Sequence, residues 1–188
     1  AEGSMISDGF CESMLKTVMH FGPIALKDPT NFEARGEVLA ASSFGCCGLL
    51  GLGRTPSPWP CHGIEHEVSA WYDITHGVGL AIITPHWMQW CLDADPALVA
   101  PKFAQYGVNV FGLNPADGVE VNAKKAIEKT AAFFRSIGIT QTLKDFGIDD
   151  SHFEAMAEHV TTAWVGDYKY AFVPMDKEAV LAVLRASL

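Results

Sequence analysis

Apolar residues recur at helical spacing along the chain, and glycine and proline divide it into segments. Met14, Leu15, Val18 and Met19 form an apolar stripe, and the Gly22–Pro23 pair that follows predicts the end of the first helix. Residues 32–53 contain many small residues, which allow a helix to approach its neighbours closely. The three prolines within residues 54–60 interrupt that segment, so the next helix is expected to begin near Pro60.

The second half of the chain shows the same organisation. Asn114 as N-cap and Pro115 at the first helical position predict a helix whose apolar face includes residues 123, 126, 127 and 134, and which ends at Gly138. Residues 151–154, SHFE, form a capping-box pattern that opens a helix towards Trp164. The terminal residues 175–188 predict one more helix. No segment alternates as a strand, so the fold class is all-α, a bundle of about seven or eight helices that forms one domain over residues 1–188.

Composition narrows the classes of function. The chain has 188 residues, 49% of them hydrophobic, and its net charge of −9 opposes binding to nucleic acid, which needs clustered lysine and arginine. Five cysteines, two of them adjacent at Cys46 and Cys47, favour a reducing cytoplasm over a disulfide framework. The first residues lack a basic and then apolar leader, and no window approaches the roughly 20 apolar residues of a membrane span. We therefore expect a soluble cytoplasmic protein.

Three histidines fall together in residues 61–77, CHGIEHEVSAWYDITHG. On a helix, His62 and His66 share one face, and the turn after Tyr72 allows His76 to return from the start of the next helix. Imidazole is a good ligand for divalent metals such as zinc or ferrous iron. The spacing is equally compatible with histidines that occupy ordinary polar positions in the bundle, and spacing alone leaves both interpretations open.

Other candidate motifs are weaker. Residues 45–53, GCCGLLGLG, lack the preceding strand and the glycine spacing of a phosphate-binding loop, so they favour helix packing. Cys46, Cys47 and Cys61 have no CxxC spacing for structural zinc. Glu65 and Glu67 are expected to cap a helix or face solvent. Core filling and a pocket wall remain alternative roles for the aromatic residues near the histidines, which are Trp59, Trp71, Tyr72, Trp87 and Trp90. His20, His86, His152 and His159 are expected to be isolated cap, surface or core residues.

One family shares the triple-histidine segment. Residues 62–88, HGIEHEVSAWYDITHGVGLAIITPHWM, resemble the metal signature of the iron-containing (group III) alcohol dehydrogenases, and within them the butanol-dehydrogenase type. That signature is HxxxH, nine residues, HG, and an apolar helix that runs to a proline, here Pro85. The resemblance extends upstream through residues 21–43 and downstream through residues 131–149, so it covers most of the chain.

The resemblance implies a fold and a set of roles. The chain would be the C-terminal helical domain, with His62 and His76 as ligands of a divalent metal, Fe²⁺ or alternatively Zn²⁺, and with His66 as a catalytic residue near the substrate. The implied reaction interconverts a primary alcohol and an aldehyde with NAD(P), in an enzyme that forms a homo-oligomer. The family's two other ligands come from a DxxxH helix, but no aspartate of this chain has a histidine four residues later.

The family's nucleotide-binding domain also has no counterpart in the sequence, because no βαβ pattern is present. We therefore expect this chain to lack the N-terminal domain that binds NAD(P) and to show no turnover by itself. Two other classes of function remain open at this point. One is a non-catalytic binding or regulatory module, and the other is a metal-dependent hydrolase with Glu65 or Glu67 as its base. Neither glutamate is expected to share the helix face of His62 and His66.

Overall fold

The computed structural model describes residues 4–53, 58–162 and 168–188 of the chain. These residues form α-helices and short 3-10 turns without any β-strand, which confirms the all-α prediction. The described α-helices are α1 (Met5–Lys27), α2 (Phe32–Cys46), α3 (Pro60–Tyr72), α4 (His76–Ala94), α5 (Pro96–Phe111), α6 (Val119–Ser136), α7 (Phe153–Thr162) and α8 (Lys177–Ala186).

Helix α4 lies between two hydrophobic clusters. The first cluster is built from α3, α4, α7 and α8, and its fully buried side chains include Ile83 and Leu184. The second is built from α4, α5 and α6 and includes Cys91. Trp87 and Trp90 of α4 are partly buried and pack against both clusters. Packing in both clusters restrains α4, the helix whose first residue is His76.

Helices α1 and α2 pack against each other at the periphery. Polar contacts attach α1 to α5, among them an ion pair between Lys102 and Asp8 and a hydrogen bond of 2.9 Å from Gln105 Nε2 to Glu12 Oε1. The large apolar side chains of α1 and α2 that are exposed in the described chain are Met5, Ile6, Phe10, Leu15, Val18, Leu26, Phe32, Leu39 and Phe44.

Two helices continue past a proline at which the sequence pattern placed the end of a helix. Helix α1 does not stop at Gly22–Pro23 but runs on to Lys27, and α4 passes Pro85 and reaches Ala94. A proline inside a helix removes one hydrogen bond. In α1 the helix is peripheral, so solvent can satisfy the carbonyl group that loses its partner. In α4 the surrounding clusters hold the helix together across the proline.

The predicted helix from Asn114 is divided. Asn114 Oδ1 accepts from Ala116 N at 3.0 Å, but the turn that it caps is a 3-10 helix at Pro115–Asp117. Gly118 then adopts φ 94°, a conformation that favours glycine, and α6 begins at Val119. The prediction was right about the cap and wrong about the continuity of the helix.

The last two helices begin at aspartate caps. Asp149, and not Ser151, caps the 3-10 turn at Asp150–His152 that leads into α7, and Asp176 caps α8 by accepting from Ala179 N at 2.9 Å. The predicted extension of α7 to Trp164 falls outside the described residues. None of the described helices has the length and apolar character needed to cross a membrane.

Candidate metal centre

A tight turn joins the two helices that carry the three histidines. Asp73 caps the C-terminus of α3; its φ is 53° and its backbone N–H donates to Ser69 O at 2.8 Å. After Ile74, the carbonyl of Thr75 accepts from Val78 N and Gly79 N and starts α4. The left-handed conformation at Asp73 is one that aspartate tolerates better than most residues. The turn therefore folds the start of α4 back onto α3.

The three histidine side chains meet at this junction and form what we call the histidine cluster (His62, His66 and His76). The ring centroids of His66 and His76 are 5.0 Å apart, those of His62 and His76 are 5.4 Å apart, and those of His62 and His66 are 6.3 Å apart. His62 is half-buried, whereas His66 is exposed and the side chain of His76 is 47% exposed. The structure thus brings together the three histidines singled out in the sequence, at a position that solvent can reach.

A buried carboxylate lies beside the histidine cluster, and sequence analysis missed it. The side chain of Glu65 is 0% exposed, and its Oε2 contacts Nδ1 of His76. Its Oε1 accepts a hydrogen bond from Ser69 Oγ, one helical turn further along α3. The expectation that Glu65 caps a helix or faces solvent was wrong. It does not share the face of His62 and His66, but α4 covers the face on which it lies, which helical spacing within α3 could not reveal.

Gly79 makes room for this carboxylate. A Cβ atom at residue 79 would lie 2.7 Å from Cγ and 2.7 Å from Oε1 of Glu65, closer than real Cβ atoms approach other atoms. Every larger residue would therefore displace Glu65 or separate the two helices. The glycine three residues after His76 is the one sequence signal that could have indicated a close approach at this position.

Two further contacts involve histidines that were expected to be isolated. Glu67 is also buried, at 8% exposed, and its Oε1 lies 2.6 Å from His159 Nδ1, so the expectation for Glu67 was wrong as well. His152 stacks on Trp71 with ring centroids 4.1 Å apart. The first contact connects α3 to α7, and the second connects α3 to the 3-10 turn before α7. Neither histidine belongs to the histidine cluster.

The aromatic residues near the histidine cluster divide between the two roles left open above. Trp87 and Trp90 pack against the core, and Tyr72 contacts the first hydrophobic cluster. Trp59 is 60% exposed and its ring centroid is 4.9 Å from that of His62. Trp59 also adopts φ 57°, which is unusual for a bulky residue. Trp59 therefore borders the histidine cluster and is not part of the core.

The surroundings of His62 favour its neutral form. Burial lowers the pKa of His62 below its usual value, and nearby His76 and His66 lower it further, while the negative charge of Glu65 acts in the opposite direction. The neutral form of imidazole binds a metal, because one of its ring nitrogens has a free lone pair.

The cysteines provide no comparable set of donors. Cys46 and Cys47 are exposed, and burial raises the pKa of the Cys61 thiol to about 12, so that it stays protonated near neutral pH. Among the described residues, the donor atoms that lie within 4.8 Å of one another belong to Glu65, His66 and His76, with no cysteine in that group. Imidazole nitrogens and a carboxylate suit zinc or ferrous iron, so the residues present fit a divalent metal. This group contains His66 and not His62, whereas the resemblance implies His62 as a ligand.

Comparison with known proteins assigns the family. The model of the Fe-containing alcohol dehydrogenase family, C-terminal, matches residues 1–188. The chain belongs to this family and corresponds to the C-terminal domain that the model describes. The all-helical fold and the paired α3 and α4 helices with their histidines are consistent with that assignment.

Particular relatives narrow the comparison. NADH-dependent butanol dehydrogenase A from Clostridium acetobutylicum is 40% identical over 187 residues, which cover 99% of this chain and 46% of the relative. NADH-dependent butanol dehydrogenase A from Thermotoga maritima has a crystal structure that matches with a TM-score of 0.85 at 28% identity, over 98% of this chain and 46% of that one. The aldehyde reductase YqhD from E. coli has a structure that matches with a TM-score of 0.84 at 26% identity, over 100% of this chain and 48% of that one. The chain thus spans about half the length of the relatives that it matches.

Proposed function

We propose that this chain is the metal-binding, substrate-side domain of an NAD(P)-dependent alcohol dehydrogenase that interconverts a primary alcohol and an aldehyde. The observation that carries the proposal is the meeting of His62, His66 and His76 at the junction of α3 and α4. The butanol dehydrogenases among the relatives support the reaction class. A divalent metal in such a centre supplies a Lewis acid that favours the alkoxide form of an alcohol.

In this proposal His62 and His76 bind the metal, as the resemblance implies. The positions of the two residues suit that role, because they lie on adjacent, packed helices and their ring centroids are 5.4 Å apart. The lowered pKa of His62 keeps its imidazole neutral and ready to bind. The metal is Fe²⁺ or Zn²⁺ on the chemistry of the donors.

His66 has a different proposed role. It is exposed, whereas His62 is half-buried, and its ring lies 5.0 Å from that of His76. An imidazole nitrogen that borders both the substrate and solvent can carry a proton between the two. We assign His66 to the proton movement that accompanies alcohol oxidation and aldehyde reduction.

The remaining parts of the enzyme are proposed to lie in a second, N-terminal domain. That domain would hold the nicotinamide nucleotide and supply the aspartate and histidine of the family's DxxxH motif, which this chain does not contain. We expect this chain alone to retain little metal, because two imidazoles give an incomplete coordination sphere. The complete enzyme is expected to be a homo-oligomer.

The contacts of the carboxylates bear on the hydrolase alternative. A metal-dependent hydrolase would need a carboxylate base that can accept a proton from water, but both oxygens of Glu65 are engaged by Ser69 and His76, and Oε1 of Glu67 is engaged by His159. Both candidate bases are buried. These contacts favour the dehydrogenase. The alternative of a non-catalytic module differs from it in one measurable respect, the absence of turnover in the complete protein.

The test compares histidine variants in a protein that joins this chain to its nucleotide-binding domain. Aldehyde reduction with NADH and NADPH, and the metal content after dialysis, are measured for His62→Ala, His66→Ala and His76→Ala. We expect His62→Ala and His76→Ala to lose metal and activity together. We expect His66→Ala to keep the metal and to lose roughly 100- to 10,000-fold in turnover, the usual contribution of a general acid or base.

His20→Ala is the matched control, because His20 lies on α1 and its ring contacts Phe21 and not the histidine cluster. It should leave both metal content and turnover unchanged. Full activity in His62→Ala, or loss of metal in His66→Ala, would show that the roles are assigned to the wrong histidines. Absence of turnover in the metal-loaded parent protein would favour the non-catalytic module.

A further inference from the structure

Glu65 is the one carboxylate of the described chain whose side chain is fully buried and in contact with the histidine cluster. Burial of a carboxylate is costly unless hydrogen bonds replace its hydration. Here one oxygen accepts from Ser69 Oγ and the other contacts His76 Nδ1. Both oxygens are therefore used within the protein, and the contact with His76 crosses from α3 to α4.

We propose that Glu65 is a positioning residue that holds His76 in the Nδ1–H tautomer and thereby presents Nε2 to the metal. A carboxylate can only accept a hydrogen bond, so the hydrogen of a neutral His76 must lie on Nδ1 where the two groups meet. The free lone pair is then on Nε2. This inference rests on the proposed function, because it assigns a purpose to the fixed tautomer only if His76 binds a metal.

The surroundings of Glu65 fix its position more firmly than those of His76. The His76 side chain is 47% exposed and lies at the first position of α4, beside the rings of His62 and His66, which are themselves half-buried and exposed, respectively. Glu65, in contrast, is enclosed by α3 and by Gly79 of α4, where even a methyl group would collide with it. Orientation of His76 thus comes from a buried partner on the other helix. Such carboxylate partners of metal-binding histidines orient the ring and raise its basicity.

The same helix provides a matched control. Glu67 is two residues further along α3, is also buried and also contacts a histidine, His159, at 2.6 Å. His159 lies on α7, outside the histidine cluster. A change from glutamate to glutamine at either position alters the same chemical group on the same helix. Only the change at Glu65 should affect His76.

The first test reads the tautomer directly and needs no metal. Long-range ¹H–¹⁵N NMR spectra of this chain, recorded where the imidazoles are neutral, should show His76 in the Nδ1–H form. In Glu65→Gln the amide can donate as well as accept, so the Nε2–H form should become populated, whereas Glu67→Gln should leave His76 unchanged. A parent protein in which His76 is mainly Nε2–H would overturn the proposal.

The second test measures the affinity for Zn²⁺ by competition with a chelator, in the complete protein. We expect Glu65→Gln to weaken binding roughly 10- to 100-fold, and Glu67→Gln to change it less than about twofold. Ser69→Ala, which removes one hydrogen bond to Glu65, should weaken binding by a smaller factor and gives a second variant should Glu65→Gln not fold.

Two outcomes would overturn the positioning role. Unchanged affinity in both Glu65→Gln and Ser69→Ala would mean that Glu65 does not act through His76. Loss of binding in Glu65→Gln as complete as in His76→Ala would make Glu65 a metal ligand instead. Failure of the proposed function looks different, because affinity would then be unchanged in His62→Ala and His76→Ala themselves.

Discussion

At the scale of single residues, Gly79 sets how closely α3 and α4 approach. The space that its side chain would need is filled by Glu65 Cγ and Oε1, each 2.7 Å from an ideal Cβ, and by Ile74 Cδ1 at 3.0 Å. Glu65 is held on its other side by Ser69. A residue without a side chain is therefore required where the buried carboxylate meets α4.

We predict that Gly79→Ala destabilises the protein by about 1–3 kcal/mol, the usual cost of an overpacked site. Urea unfolding followed by circular dichroism measures the change. Gly77→Ala is the control, because it lies in the same helix and a Cβ there meets no other atom within 4 Å. That variant should be neutral or stabilised by up to about 1 kcal/mol, since alanine is the better helix former. Equal stability of the two variants would show that Glu65 does not fill the space beside residue 79.

At the scale of secondary structure, α8 depends on the residue that caps its N-terminus. Asp176 precedes the helix and accepts from Ala179 N at 2.9 Å, and the helix then supplies Val180, Leu181, Val183 and Leu184 to the first hydrophobic cluster. Fraying at the start of α8 would loosen the cluster, because Val180 and Leu181 lie in the first turns.

We predict that Asp176→Ala costs about 1 kcal/mol in the free energy of unfolding, through loss of the cap. Asp176→Asn keeps an oxygen that can accept the same hydrogen bond and should cost much less. Thermal and urea unfolding of the two variants side by side provide the measurement. A loss of stability in Asp176→Asn as large as in Asp176→Ala would point to the charge of Asp176, and not to its cap.

The elements that sequence could predict were those governed by local chemistry. Pro60 at the start of α3 and the terminal helix from residue 175 follow from residues next to them, and the histidine cluster follows from helical spacing and one turn. Gly22–Pro23 failed as a stop signal because solvent at the periphery can satisfy the carbonyl group that loses its partner, so the proline does not end α1. Glu65 was missed for a different reason, since its burial depends on a helix that lies beside it in space and not on the spacing within α3.

At the scale of the whole molecule, the histidine cluster lies at the start of α4, the helix that the two hydrophobic clusters share. Helix α4 contributes to both clusters and begins with His76, while α3 contributes to the first and carries His62 and His66. The chain spans about half the length of its relatives, 46% of the Clostridium acetobutylicum butanol dehydrogenase. We therefore propose that this domain supplies two metal ligands and that the other half of the enzyme supplies the rest of the coordination sphere.

The most direct test of this central claim is the structure of the complete protein with its metal, located by anomalous diffraction at the metal's absorption edge. We predict one site at the junction of α3 and α4, with nitrogen atoms of His62 and His76 at about 2.1 Å from the metal. His66 should lie too far from the metal to coordinate it, and Glu65 should keep its hydrogen bond with Nδ1 of His76. A metal bound by His66 or by a Glu65 oxygen, or bound away from the histidine cluster, would contradict the account.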